Sequence, residues 1–130
     1  MSKTIAVIIA IFVIITGFVI AIKFDLFPKQ QYGPYDDFII CLKASGARFY
    51  GNYANADSLR QMSFFGDSLP ILERSGIYLE CNSRGPNPQV KKCQDNGIKI
   101  YPTWIIEEKQ YPGIMGLNKL EELTGCKREN

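Results

Sequence analysis

Residues Thr4 to Ile22 (TIAVIIAIFVIITGFVIAI) carry no charge and are almost wholly apolar. No other feature constrains the chain as much. As a helix the run spans roughly 28 Å at 1.5 Å per residue, close to the ~30 Å of a bilayer's hydrocarbon core. A cleaved signal peptide is the competing reading, but its apolar core usually has about 7–15 residues and ends in an Ala-x-Ala-like site. This run is longer, and Ile20-Ala21-Ile22-Lys23 is a poor cleavage site. A retained single-pass anchor over residues 1–26 is therefore expected, meeting lipid through residues 4–22. Its orientation stays open: Lys3 and the amino terminus lie on one side, Lys23 and Lys29 offset by Asp25 on the other.

The remainder of the 130 residues has room for one small domain. Phe27 to Tyr35 (FPKQQYGPY), with two prolines and a glycine, reads as a linker over residues 27–35, leaving a domain over residues 36–130. With Lys3 and Lys23 set aside from the 15 basic residues, 13 remain against 13 acidic ones. The extramembrane part is formally neutral and its charges are interspersed. Nucleic acid is excluded as a partner by the missing electrostatic footprint.

Asp36 suits the N-cap of a helix carrying Phe38, Ile39, Cys41 and Leu42 on one face, with Gly46 as its stop. Ala47 to Tyr53 reads as a strand, and Ser58 to Phe65 as a short helix with Leu59, Met62 and Phe65 at helical spacing. Ser68 to Arg74 reads as another helical piece and Ile77 to Cys81 as a strand. Asn87-Pro88 through Asn96-Gly97 has the clearest helix signature, with Asn as cap, Pro at the first helical position and Gly past the end. Thr103 to Ile106 and Gln110 to Met115 predict two strands joined at Glu107-Glu108-Lys109. Leu117, Leu120 and Leu123 predict a final amphipathic helix closed by Gly125.

Phe49 to Gln61 (FYGNYANADSLRQ) is the candidate functional stretch, an aromatic strand running straight into the first turn of a helix. The chain contains no histidine, which removes the usual Ser/His/Asp arrangements and His-metal sites. Its four cysteines, at 41, 81, 93 and 126, have no Cys-x-x-Cys spacing, so neither a structural zinc site nor any other metal or cofactor is expected. Glu107-Glu108 and Glu121-Glu122 read as solvated turn and helix faces rather than acid/base pairs.

Four pieces occur together in one order. They are Leu42-Lys43-Ala44-Ser45-Gly46-Ala47-Arg48-Phe49-Tyr50-Gly51; Glu80-Cys81; Asn87-Pro88-Gln89-Val90 with Cys93; and Gly97-Ile98-Lys99 with Tyr101-Pro102-Thr103-Trp104, followed by Tyr111-Pro112-Gly113 and Leu120-Glu121-Glu122-Leu123. Over about residues 36 to 126 the chain resembles the thioredoxin-like domain fused to vitamin K epoxide reductase homologues of cyanobacteria and plastids. The resemblance implies an α/β, thioredoxin-like fold lacking its first strand: a central mixed sheet flanked by helices, preceded here by one transmembrane helix.

The departures bear on function. Members of that family read Trp-Cys-Pro-His-Cys where this chain reads Ala54-Asn55-Ala56-Asp57-Ser58, and the multi-helix reductase domain that supplies quinone chemistry does not occur in this sequence. Disulfide exchange needs one thiolate to attack and a second thiol to resolve the mixed disulfide. An Asn amide is not a nucleophile, and a Ser hydroxyl needs an adjacent base. Asn55 and Ser58 therefore read as a degenerate site that retains a helix start, Asn, Asp and Ser all being good caps. Tyr101-Pro102-Thr103 matches the cis-proline loop, which in active members pairs its backbone with a substrate peptide; here it keeps the fold's geometry or forms a residual peptide-docking groove. The resemblance further implies a structural disulfide between Cys81 and Cys93, worth about 3 kcal/mol in the chain-entropy model. Such a bond implies an oxidising compartment and places the domain on the lumenal or periplasmic side. Cys41 and Cys126 stay open between free and paired; in the thioredoxin layout their helices are expected on opposite faces of the sheet.

The leading expectation is a redox-inactive, membrane-anchored structural or binding subunit of a membrane protein complex. The resemblance points to a photosystem or another thylakoid complex, or to a bacterial inner membrane. One alternative is an atypical thiol-disulfide oxidoreductase using Cys41, Cys126 or an exposed Cys81–Cys93 bond. The other is an assembly chaperone using the groove at Pro102.

Overall fold

The computed structural model describes residues 2–23 and 32–129. The chain divides into two compact units, an N-terminal helix and a domain beginning at Tyr32. Residues 24–31, holding the end of the expected anchor and most of the expected linker, lie outside the described residues.

The first unit is α1 (Lys3–Lys23), 21 residues and about 31 Å long. It is long and apolar enough to cross a membrane. Its one internal hydroxyl is satisfied within the helix, Thr16 Oγ1 donating to the carbonyls of Phe12 (2.9 Å) and Val13 (3.0 Å). No polar group along this stretch then calls for water, which is what a lipid environment requires.

The second unit runs α2 (Asp36–Ala44), β1 (Arg48–Gly51), α3 (Ala56–Ser63), a 3₁₀ turn (Gly66–Ser68), α4 (Leu69–Ser75), β2 (Tyr78–Glu80), α5 (Val90–Asp95), β3 (Thr103–Ile106), β4 (Lys109–Pro112) and α6 (Leu117–Thr124). The four strands form one mixed sheet in the order β2-β1-β3-β4. β1 and β2 are parallel, as their helical crossover demands, and β3 and β4 form an antiparallel hairpin alongside β1. The fold is mixed α/β, a four-stranded sheet with helices on its faces.

Side-chain alternation along the strands divides the core in two. Phe49, Tyr78, Trp104 and Ile106 point into the larger cluster, joined by Phe38, Ile39 and Leu42 of α2, Met62 of α3, Leu72 of α4, and Leu117 and Leu120 of α6. Phe49 stacks on Trp104 with ring centroids 4.9 Å apart and planes 13° from parallel, and both rings are fully buried. Tyr50 and Leu79 point the other way, where Cys93 of α5 and Ile98 cover them.

Several element boundaries differ from the sequence reading, each because a side chain or loop takes over a backbone bond. Asp36 is not the cap of α2 but its first residue; Tyr35 holds the cap position, and the Asp36 carboxylate turns back to accept from the Gly33 N–H at 3.0 Å. Gly33 itself has no room for a side chain, since a Cβ would collide with Ser68. α5 starts at Val90 rather than at Pro88, with Gln89 as its cap. Asn87 sits at φ 47° and the Gln89 N–H donates to the Glu80 carbonyl at 2.7 Å, so Asn87-Pro88 belongs to a loop folded back on β2. The last strand ends at Pro112, because the Met115 N–H donates to the side chain of Gln61 instead of a neighbouring strand.

Candidate functional site

The C-terminal ends of β1 and β2 and the N-terminal end of β3 meet at one edge of the sheet. The register places Tyr50 opposite both Leu79 and Thr103, so the loop leaving β1 lies beside the loop that brings in Pro102. Asn55, Ser58, Cys81, Tyr101, Pro102 and Thr103 lie at this end, with Cys93 bonded to Cys81, whereas Cys41 and Cys126 belong to α2 and to the segment after α6.

The β1 ladder stops at Gly51 because the next residues bond to one another. The Asn55 N–H donates to the Asn52 carbonyl at 2.9 Å, and the Ala54 N–H donates to Asn52 Oδ1 at 2.9 Å. Asn55 then caps α3: its backbone is extended (φ −100°, ψ 124°) and its Oδ1 accepts from the Ser58 N–H at 2.8 Å. Ser58 is fully buried, and its Oγ accepts from the Asn52 N–H at 3.1 Å. Asn55 and Ser58, expected from the sequence to be a degenerate site, are thus a helix cap and a buried hydroxyl tied to the loop.

The Tyr101–Pro102 bond is cis. The Pro102 carbonyl accepts from the Gly113 N–H at 2.7 Å, and Thr103 Oγ1 donates to the Ile100 carbonyl at 2.7 Å. Tyr101 packs against the smaller core cluster beside Cys81 and Cys93. The topology brings this loop and the Asn55 turn to one end of the sheet, while among the described residues no side-chain hydrogen bond links Asn55 or Ser58 to Tyr101, Pro102 or Thr103.

A buried acid underlies the same loop and was not singled out from the sequence as a site residue. Glu80 is 2% exposed, and its carboxylate accepts from the N–H groups of Tyr53 (3.1 Å) and Asn82 (2.7 Å) and from the Tyr78 hydroxyl (2.5 Å). Charge-assisted bonds of this kind are roughly twice as strong as neutral ones. Burial, the bond to Glu80 and the charges of Glu80 and Glu73 push the Tyr78 phenol far above its usual range. Gly85 closes over the carboxylate, where a Cβ would stand 2.5 Å from Glu80 Cδ. The signal available in the sequence was a single acid ending the apolar strand Ile77-Tyr78-Leu79. Gln61 was also missed: fully buried, it donates to the Met115 carbonyl at 2.9 Å and accepts from the Met115 N–H at 2.6 Å, fastening α3 to the chain beyond β4.

All four cysteines are paired. Cys81 and Cys93 are joined with Cα atoms 5.8 Å apart, both buried, tying the end of β2 to α5. Cys41 and Cys126 are joined across a separation of 85 residues with Cα atoms 5.7 Å apart. The expectation that their helices lie on opposite faces of the sheet is corrected by the packing. Leu117 and Leu120 of α6 enter the same core cluster as Phe38, Ile39 and Leu42 of α2, and Cys126 follows α6 onto that side.

No protein-family model matches the chain. Over 87 residues, 65% of its length, it is 33% identical to "Thiol-disulfide oxidoreductase LTO1" of Arabidopsis thaliana, and the match spans 22% of that protein. With its two disulfides, the chain is similar to a thiol-disulfide oxidoreductase over about a fifth of the relative's length, a likeness that supports a thioredoxin-like relationship.

Proposed function

We propose that this chain is a membrane-anchored, thioredoxin-like protein whose domain has lost dithiol chemistry and acts as a structural or binding subunit of a membrane complex. The observation that carries the reading is the hydrogen-bonded turn at Asn55–Ser58. Thioredoxin-type exchange depends on a thiolate held at a helix N-terminus, where the partial positive charge lowers its pKa. At the start of α3 that place is taken by the Asn55 cap, and the nearest hydroxyl, Ser58, is buried with its oxygen already accepting a backbone N–H. No histidine is available to activate it. The loops around the turn, rigidified by Glu80 and by the Cys81–Cys93 bond, offer a fixed surface suited to recognition rather than turnover.

The photosynthetic membrane, with a photosystem or similar assembly as host, is the setting suggested by the family resemblance, with the domain lumenal; a bacterial inner membrane with a periplasmic domain is the equivalent. The oxidoreductase reading is favoured by one observation, the 33% identity to a thiol-disulfide oxidoreductase, and would have to run through the paired cysteines. Affinity purification of the tagged chain from mild-detergent extracts of native membranes tests the proposal. Recovery in fixed stoichiometry with a mature complex is expected. Insulin-reducing turnover by a purified Cys41→Ser/Cys126→Ser variant would overturn it.

A further inference from the structure

The two disulfides differ in access. Cys81 and Cys93 are 8% and 2% exposed and lie within the smaller core cluster, beneath Tyr50 and Leu79. Cys41 is half-buried on α2, packed against the larger core cluster and next to Ile40, which is 57% exposed; its partner Cys126 is 1% exposed. Cys41 is therefore the most accessible of the four cysteines, while Cys126 and the inner pair are buried. Rates of thiol–disulfide exchange depend on which sulfur is attacked and on access to it.

The segment carrying Cys126 follows the end of α6, and Cys126 itself is buried in the larger core cluster. The segment leaves α6 through Gly125, a left-handed cap at φ 74°. The Cys126 N–H donates to Thr124 Oγ1 at 3.3 Å, and Arg128 holds the residues beyond. The Arg128 N–H donates to Glu121 Oε1 at 2.8 Å, its guanidinium pairs with Glu121 Oε2 at 3.2 Å and with Asn118, and it lies beside Tyr35 ahead of α2. Ion pairs this close to the surface are weak restraints. Beyond the buried Cys126, the tail is held by Arg128 and by the covalent bond to α2, and two basic residues, Lys127 and Arg128, follow the cysteine whose sulfur would leave.

We propose that Cys41–Cys126 is a thiol-exchange site that takes two electrons from a protein dithiol of the Cys-x-x-Cys class and releases the tail from α2. The partner's thiolate attacks Cys41 Sγ. A partner-sulfur–Cys41 bond forms, the Cys41–Cys126 bond breaks, and the electron pair leaves on Cys126 Sγ, which takes a proton from water. The partner's second thiolate then attacks its own sulfur in the mixed disulfide and expels Cys41 as a thiolate. The partner ends as a disulfide and this chain as a dithiol. The inference goes beyond the binding role and does not depend on it.

The test uses the full chain in detergent micelles, reduced thioredoxin as the dithiol, and maleimide labelling with peptide mapping under native conditions. Cys41 and Cys126 should become labelled at least roughly tenfold faster than Cys81 and Cys93, given their difference in access. A thioredoxin whose resolving cysteine is replaced by serine should be trapped on Cys41. Labelling of all four cysteines together, resistance of both bonds while the fold is intact, or a trapped adduct on Cys126 would each overturn the proposal.

Discussion

Asn55 and Ser58 build the start of α3 from hydrogen bonds alone. On the proposed reading the helix begins where a thiolate would stand in a dithiol site, and Asn55 Oδ1 accepts a hydrogen bond from the Ser58 N–H there. A cap of this type contributes about 1 kcal/mol, so Asn55→Ala should lower the melting temperature by several degrees, whereas Asn55→Ser should nearly preserve it. Thermal denaturation followed by circular dichroism decides this; equal loss in both variants would remove the capping account. Tyr78 supplies a pH dependence. Burial first, then the bond to Glu80 and the charges of Glu80 and Glu73, raise its phenol above the ordinary 10.0. Burial raises Tyr50 as well, against a smaller opposing effect of Arg48. A raised folded-state pKa means that the native protein keeps protons that the unfolded chain gives up. Their contribution is therefore whole below about pH 10 and is lost as pH rises beyond it. Urea midpoints should fall between about pH 9 and pH 11, and Tyr78→Phe should flatten the fall. A midpoint in the native protein that holds steady to pH 11 would count against this assignment.

At the scale of elements, the loop from β2 to α5 is fixed at both ends, by Glu80 beneath it and by the Cys81–Cys93 bond across it. Closing a 12-residue separation contributes about 3 kcal/mol in the chain-entropy model, a large share of a small domain's stability. Cys81→Ala/Cys93→Ala should lose up to that amount, read from denaturant midpoints. If the proposed binding role holds and the bond serves only to hold the loop, partner binding should survive wherever the fold does. A well-folded double variant that no longer binds would instead make this loop a redox switch. The Cys41–Cys126 bond closes a far longer stretch, yet joins two helices already packed in the same core.

For the whole molecule the decisive contrast is between its two units. The N-terminal helix has no apolar core of its own, and its exposed isoleucines, valines and phenylalanines are stable only in lipid or against a partner. The full chain should therefore resist carbonate extraction and keep its first residues. A mature N-terminus near Lys23, found by terminal sequencing of the membrane-derived protein, would identify the segment as a signal peptide.

What the sequence determined by itself was the apolar helix, the alternation of helices and strands, and most of their termini, because periodicity, caps and glycines act over a few residues. Gly125 ends α6 and the Thr103–Ile106 strand lies where its β-branched residues put it. Local signals failed where a distant group competed for a backbone bond: Asn87-Pro88 looks like a helix start, but the Glu80 carbonyl draws Gln89 back to β2. Only the tertiary structure decided that Cys41 meets Cys126 and which polar groups are buried. Glu80 is one acid among 13 until the fold closes Tyr53, Tyr78 and Asn82 around it, and Cys126 reaches Cys41 only because α6 packs on the same face of the sheet as α2. Burial and pairing across 85 residues depend on packing as a whole, which no local pattern encodes.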